Sequence, residues 1–181
     1  MATTARKSYL ILGRLPNSPL YKSIQSHHSI THLPTKSLSR ADIISQISSL
    51  PNKQYTFLLV LSEAQNLYPI DKNILGPLSI ECVCKVGAGY DSVDVEYLTS
   101  RGTWFANTPI AVRIPTAEWA AAMILATVKG LGVADRNMRQ GKYRQGLGLQ
   151  NNISGMTLGI IGLGAIGKVC VIHLFPQDLT W

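Results

Sequence analysis

The sequence predicts an α/β protein in which short buried strands alternate with amphipathic helices around a parallel sheet. Short apolar runs recur along the first hundred residues, and segments with helical spacing separate them. Hydrophobic residues make up 46% of the chain and charged residues only 15%, so the chain can bury a core. A glycine-rich turn joins one further apolar run to a helical segment near residue 165.

Six apolar runs are predicted to be strands. The strongest, 55–61, is almost wholly apolar and is expected to be buried on both faces of a sheet. The weakest, 29–32, is short and mixed in character. In chain order the predicted strands are 9–12, 29–32, 55–61, 79–86, 103–106 and 158–161.

The segments between these runs are predicted to be helices. Ser39 is a typical N-cap for a helix over 41–50, in which isoleucines recur at helical spacing. A long helix is predicted to open at Pro115, run through Val128 and resume to about Gln140. Shorter helical segments are predicted over 20–26, 71–78 and 92–101.

The net charge of +7 arises mainly from bases scattered among Ser and Thr. Before Glu63 the only acid is Asp42, but the bases form no cluster, which favours a solvated face over a nucleic-acid or membrane surface. The first residues lack the apolar run of a signal peptide, and no stretch is expected to approach the length and hydropathy of a membrane span. We therefore expect a cytoplasmic protein that binds neither nucleic acid nor membrane.

The cysteines and histidines do not predict a metal site. Cys82 and Cys84 are two apart on a predicted strand, so they share a face, and the odd count argues against a disulfide framework. Reduced thiols are the expectation, as in a cytosolic protein. The histidine cluster near residue 30 has no acid to complete a ligand set. It consists of His27, His28 and His32.

The segment Gly162-Leu-Gly164-Ala-Ile-Gly167 follows the predicted strand 158–161 and spells the G-x-G-x-x-G of a dinucleotide-binding turn. Gly162 suits a tight turn, Gly164 lets the backbone approach a pyrophosphate, and Gly167 allows close helix packing. A helix beginning near Ala165 would point its N-terminal dipole at the phosphates.

Two alternatives stay open for this segment. Residues 162–168 also fit G-x-x-x-x-G-K, but Val169 stands where a phosphate loop needs a hydroxyl for magnesium. The glycines are also compatible with a plain strand-to-helix turn. The position is unusual as well, because the first strand of a nucleotide domain is normally followed by its neighbours, and this sequence ends at Trp181.

Four motifs occur in order along the chain. They are Lys85-Val-Gly-Ala-Gly-Tyr-Asp91, Asn107-Thr-Pro109, Thr116-Ala-Glu118 and Gly162-Leu-Gly-Ala-Ile-Gly167. With them the sequence resembles the D-isomer-specific 2-hydroxyacid dehydrogenases, most of all the glyoxylate/hydroxypyruvate reductase and D-mandelate dehydrogenase branch. The resemblance is strong over 79–169. Over the first 78 residues only the order of helices and strands matches.

The resemblance implies a flavodoxin-like substrate domain over 1–108, followed over 109–181 by the beginning of a Rossmann NAD(P)-binding domain. It implies NAD or NADP as cofactor, a small 2-oxo or 2-hydroxy acid as substrate, and a homodimer formed through the 115–140 helix. Backbone N–H groups of one loop would receive the substrate carboxylate, and they belong to Val86, Gly87, Ala88 and Gly89. The cofactor would meet Thr116, Gly162, Leu163, Gly164, Ala165, Ile166 and Gly167.

The family's acid–base chemistry uses an Arg, a His and a carboxylate that follow the fingerprint, and no residue of this sequence matches them. His173 comes too soon after the fingerprint, and Asp178 is not at the end of a second strand. We therefore expect an oxidoreductase by family whose 181 residues are incomplete and inactive alone. The alternatives are a non-catalytic binding or dimerising fragment and, less favoured, a phosphate-loop nucleotide binder.

Overall fold

The computed structural model describes residues 6–15, 18–61, 64–148 and 152–174. The chain divides into two compact units after Pro109. The first unit carries the sheet and the second consists of helices and connecting segments. The ligands that the sequence assigns to each unit stay predictions.

The first unit is built on five parallel strands, in the spatial order β2-β1-β3-β4-β5. This is the 2-1-3-4-5 order of flavodoxin-like sheets, which confirms the predicted α/β class. Because all strands are parallel, their carboxyl ends meet at one edge of the sheet, where ligands bind in such folds. The strands are β1 Ser8–Leu12, β2 Ser29–Leu33, β3 Gln54–Val60, β4 Ser79–Lys85 and β5 Trp104–Asn107.

Helices connect the strands of the first unit, and each matches a predicted segment. Ser39 caps its helix through a capping box with Asp42, in which each side chain bonds the other residue's backbone N–H. A short 3-10 turn, Gln65–Leu67, precedes the third helix. The helices are α1 Pro19–His27, α2 Arg40–Ser49, α3 Lys72–Leu75 and α4 Val95–Ser100.

The core of the first unit forms where leucine, isoleucine and valine side chains of the central strands meet the helices. Leu10, Leu58 and Val83 come from three neighbouring strands and are completely buried. Ile43 and Ile47 of α2 pack on them, as the helical spacing predicts. This apolar packing fixes the strand ends, and thereby the loops that follow them.

An ion pair joins α2 to the segment before α3. The Arg40 guanidinium lies 2.8 Å from a carboxylate oxygen of Asp71 and also donates to the Pro69 carbonyl oxygen at 2.8 Å. Partial burial acts to raise the pKa of Asp71, but the Asn73 backbone N–H and the Arg40 charge outweigh it, so the pKa is lowered. The ionised carboxylate therefore stabilises this corner of the fold.

The long helix of the second unit starts earlier than predicted. Helix α5 runs over Pro109–Val128, with Pro115 inside it. The sequence predicts Pro115 as the opening proline, but Pro109 occupies the first helical position, where a missing N–H costs nothing. Gly130 then adopts a left-handed conformation, with φ of 60°, and separates α5 from α6 Leu131–Arg139.

The predicted strand over 158–161 is wrong for this chain. No strand among the described residues pairs with this segment, and Ile161 is fully exposed. A strand needs hydrogen-bonding neighbours, and an apolar run cannot supply them by itself. The helix after the glycine turn is confirmed, since α7 runs over Ala165–Leu174.

Helix α5 also corrects the expectation that no stretch approaches a membrane span. It is the single helix, within the described part of the chain, that is long and apolar enough by length and composition, with a mean hydropathy of 1.2. Core helices of water-soluble proteins reach the same length and apolar composition. Arg113 and Glu118 lie within the helix, and ionised groups are costly in a bilayer.

Candidate functional site

The loop that follows β4 lies at the carboxyl edge of the sheet, between the ends of β3 and β5. The β4 ladder runs to Lys85, which is paired with Val60 of β3 and Asn107 of β5. The predicted substrate-binding residues come directly afterwards and occupy a surface position. The topology therefore places them where parallel sheets bind ligands.

Two of the four predicted backbone donors already have acceptors within the protein. The Val86 N–H donates to the Val60 carbonyl oxygen at 3.0 Å, which extends the β3–β4 ladder by one bond. The Gly87 N–H donates to the Thr108 hydroxyl oxygen at 2.8 Å. The structure thereby narrows the predicted set of carboxylate donors to Ala88 and Gly89.

The N–H groups of Ala88 and Gly89 point away from β5. The carbonyl oxygen of Gly87 accepts from the Thr108 N–H at 3.0 Å, and that of Ala88 accepts from the Asn107 side-chain amide at 2.7 Å. In a trans peptide the C=O and N–H bonds point in opposite directions. The N–H groups of Ala88 and Gly89 belong to the same peptides as these two carbonyl groups, so both face away from β5. Neither has an acceptor among the residues that the structure describes. Two adjacent exposed donors of this kind suit an oxyanion.

A buried lysine contacts the same loop. Lys85 is only 8% exposed, its ammonium donates to the Gly89 carbonyl oxygen at 2.8 Å, and it lies 5.4 Å from the centre of the Tyr68 ring. In the described ranges no carboxylate oxygen lies within 4.0 Å of it. The lysine adds positive potential at the loop, which favours an anionic ligand. Sequence reasoning missed this role, although a lysine ending a buried strand was a signal.

The glycine fingerprint has the local geometry that its residue types predict. Gly162 has a φ of 94°, and a Cβ built on Gly167 would overlap the Gly162 carbonyl oxygen at 2.4 Å. A Cβ on Gly164 would meet no atom within 4 Å, so its surroundings are open. Helix α7 begins at Ala165 and directs its N-terminal N–H groups at this turn. The residues present therefore fit a bound pyrophosphate.

The remaining predicted cofactor residues lie in the second unit. Leu163 and Ile166 are exposed in and after the glycine turn. Thr116 is exposed on α5, and its hydroxyl donates to the Val112 carbonyl oxygen at 2.6 Å. No observation assigns a cofactor contact to these side chains, so their roles stay predictions.

No acid–base pair of the expected kind occurs in the described part of the chain. No histidine there lies within 4.0 Å of a carboxylate, and His32 instead contacts the Gly13 carbonyl oxygen at 2.7 Å. No group of three or more metal-ligating side chains occurs there either. Asp178 lies outside the described residues.

The cysteines are free thiols, and the predicted shared face of the first two is confirmed. The sulfur atoms of Cys82 and Cys84 are 3.6 Å apart. Burial, followed by the hydrogen bond and charge of Cys82, raises the pKa of Cys84 to about 12. A thiol with such a pKa stays protonated at neutral pH and is a poor nucleophile.

Comparison with known proteins identifies the family. The sequence profile of the D-isomer specific 2-hydroxyacid dehydrogenase catalytic domain matches residues 12–165, which is most of the chain. The chain belongs to the D-isomer-specific 2-hydroxyacid dehydrogenase family. It is 35% identical over 104 residues to a glyoxylate reductase of Korarchaeum cryptofilum, a match that covers 55% of this chain and 31% of the relative.

Solved structures share the fold. A glyoxylate reductase from Paecilomyes thermophila superposes with a TM-score of 0.79 at 23% identity, covering 94% of this chain and 52% of that one. The holo form of Rhodotorula graminis D-mandelate dehydrogenase gives 0.78 at 23% identity, with 94% and 53% covered. A Sinorhizobium meliloti glyoxylate/hydroxypyruvate reductase, in complex with NADP and malonate, gives 0.67 at 22% identity, with 97% and 52% covered. The chain thus spans about half the length of these structures, and about a third of the Korarchaeum relative.

Proposed function

We propose that the protein to which these residues belong reduces a small 2-oxo acid to the 2-hydroxy acid with a nicotinamide cofactor. The observation that carries the proposal is the pair of N–H groups on Ala88 and Gly89 that point away from β5, in a loop that also contacts the buried ammonium of Lys85. Two N–H donors match the two oxygens of a carboxylate, which every 2-oxo acid carries. The family of the chain supports this chemistry.

We further propose NAD or NADP as the cofactor, held at the glycine fingerprint. When bound, it supplies or accepts the hydride. Gly164 offers open backbone for the pyrophosphate, and Gly167 keeps α7 close against the turn at Gly162. The residue that would select NAD over NADP normally follows the fingerprint by about 20 positions. The structure of a neighbour with NADP supports a nicotinamide cofactor but leaves this choice open.

The 181 residues alone are proposed to bind ligand without turnover. Hydride transfer needs the substrate, the cofactor and an acid–base group held together, and no histidine–carboxylate pair occurs in the described ranges. Of these three requirements, the loop after β4 would supply the substrate site and the fingerprint would supply the cofactor site. Binding without chemistry is the expected behaviour of such a chain.

The test compares the 181-residue chain with the native protein that carries it, isolated through peptides around the fingerprint. Each is given glyoxylate, hydroxypyruvate and 4-methyl-2-oxopentanoate with NADH and, separately, NADPH. We expect 2-oxo-acid-dependent oxidation of one reduced cofactor by the native protein, and none by the 181 residues. A native protein that is inactive with all of these would contradict the proposed reaction, whereas turnover by the 181 residues would contradict the proposed binding without turnover.

We also propose that the 115–140 segment forms a homodimer contact. Helix α5 exposes large apolar side chains within its own unit, including Trp119 at 69% and Met123 at 50% exposure, and such patches mark interaction surfaces. Sedimentation should show a dimer in the native protein, and Trp119→Glu should shift it towards monomer. A monomeric native protein would contradict this proposal.

A cytoplasmic location is likewise our proposal, supported by three free cysteines that suit a reducing compartment. Localisation of the native protein by a fluorescent fusion tests it.

A further inference from the structure

Asn107 stands at the end of β5 and reaches across to the loop after β4. Its backbone is paired with Lys85, so the loop that follows Lys85 starts beside it. Its side-chain amide nitrogen donates to the Ala88 carbonyl oxygen at 2.7 Å, and the side chain is half-buried. This contact joins residues 19 positions apart and is the side-chain hydrogen bond that holds the peptide between Ala88 and Gly89.

The direction of that peptide decides which group the loop presents to a ligand. With the Ala88 carbonyl oxygen held by Asn107, the Gly89 N–H faces away from β5. If the peptide rotated by half a turn, a carbonyl oxygen would take the place of the donor and would repel a carboxylate. Glycine at position 89 makes such a rotation easy, because glycine populates conformations that other residues avoid.

The neighbouring peptides are held by other groups. The peptide before Ala88 is fixed by the backbone N–H of Thr108, at 3.0 Å from the Gly87 carbonyl oxygen. The peptide after Gly89 is fixed by the ammonium of Lys85, at 2.8 Å from the Gly89 carbonyl oxygen. Three contacts thus fix three consecutive peptides of the loop, and those from Thr108 and Asn107 orient the two free donors of Ala88 and Gly89.

We propose that Asn107 is a positioning residue for the carboxylate-binding loop, and that it acts by orienting the Gly89 N–H rather than by touching the substrate. The inference rests on the proposed function of the loop as a carboxylate site. Its structural part, the direction of the peptide, can be measured without any ligand.

The variant is Asn107→Leu, which keeps the number and branching of the side-chain heavy atoms and the net charge but cannot donate to Ala88. The variant loses a single hydrogen bond at a partly exposed site, so it is expected to fold. The matched control is Asn66→Leu. Asn66 also donates its side-chain amide to a backbone carbonyl oxygen, that of Leu38 at 3.1 Å, but lies outside the loop.

The measurement uses NMR of the ¹⁵N-labelled 181-residue chain. Residual dipolar couplings report the direction of the Ala88 and Gly89 N–H bonds, and titration with oxamate, a 2-oxo acid analogue, reports binding at the same amides. In the unsubstituted chain and in Asn66→Leu we expect one N–H direction and oxamate-dependent shifts at both residues. In Asn107→Leu we expect altered Gly89 couplings and affinity for oxamate lowered about tenfold.

The outcomes separate the inference from the proposed function. If Asn107→Leu keeps both the Gly89 couplings and the oxamate affinity of the control, the positioning role is overturned. If the couplings change and the affinity does not, orientation by Asn107 does not govern binding and the inference also fails. If the unsubstituted chain shows no oxamate shifts at Ala88 or Gly89, the proposed carboxylate site is wrong, while the couplings still decide whether Asn107 orients the peptide.

Discussion

Substitution of Gly87 by alanine is expected to destabilise the first unit through backbone strain alone. Gly87 has a φ of 111°, which lies beyond the left-handed helical region and is unfavourable for any residue with a Cβ. Steric crowding does not contribute, because the nearest atom to the added Cβ would be the Lys85 ammonium nitrogen at 3.9 Å. The cost is therefore that of one strained residue, about 1–3 kcal/mol.

For a unit of this size, about 2 kcal/mol lowers the melting temperature by roughly 8–16 °C. Urea unfolding followed by circular dichroism measures the change in the free energy of unfolding. Hydrogen exchange at the β4 amides tests whether the destabilisation lies in the first unit. Gly89→Ala is the control, because the φ of Gly89 lies outside the strained range and its added Cβ would lie 3.8 Å from the Asp91 carboxylate. We expect the control to stay within about 0.5 kcal/mol of the unsubstituted chain.

Two results would refute this reasoning. A neutral Gly87→Ala would mean that the loop relaxes to a conformation without positive φ, and the described direction of the Ala88 and Gly89 donors would then not be fixed. Equal losses for Gly87→Ala and Gly89→Ala would mean that side-chain crowding, not backbone strain, sets the cost.

Two further predictions concern the fingerprint and the ion pair. Gly167→Ala should loosen the turn and speed hydrogen exchange in α7, because its Cβ would overlap the Gly162 carbonyl oxygen at 2.4 Å, an overpacking cost of about 1–3 kcal/mol. Gly164→Ala, with open space around it, should leave that exchange unchanged, and equal effects would contradict the assignment. Because the pKa of Asp71 is lowered on folding, its pairing with Arg40 should stabilise the protein above about pH 4 and lose effect as the pH falls through and below that value. Asp71→Asn should remove this part of the acid dependence of urea unfolding, and an unchanged acid dependence would show that the pair contributes nothing.

The sequence predicts those features of the fold that depend on neighbouring residues. The strand over 55–61 and the cap at Ser39 follow from local pattern and local hydrogen bonding, and both occur in the structure. The run over 158–161 has the same local pattern, but a strand also needs a partner, and none pairs with it in the described ranges. The start of α5 was misplaced because two prolines, at 109 and 115, can each open a helix.

The candidate site likewise has features that the local sequence predicts and features that depend on distant residues. The loop 86–89 could be located from its motif, and the fingerprint from its glycine spacing. The direction of the N–H donors in the loop 86–89 could not be predicted, since it depends on hydrogen bonds from Asn107, at the end of β5, and from Thr108 directly after it. The burial of Lys85 is also non-local, because it arises from strands on both sides of β4 and from Tyr68.

The configuration of the product tests the central claim most directly. The native protein that carries this chain is incubated with 4-methyl-2-oxopentanoate and reduced nicotinamide cofactor, and the 2-hydroxy acid is resolved by chiral chromatography. Membership in the D-isomer-specific family predicts the D-hydroxy acid as the product. Formation of the L-hydroxy acid, or of none from any 2-oxo acid offered, would contradict the account.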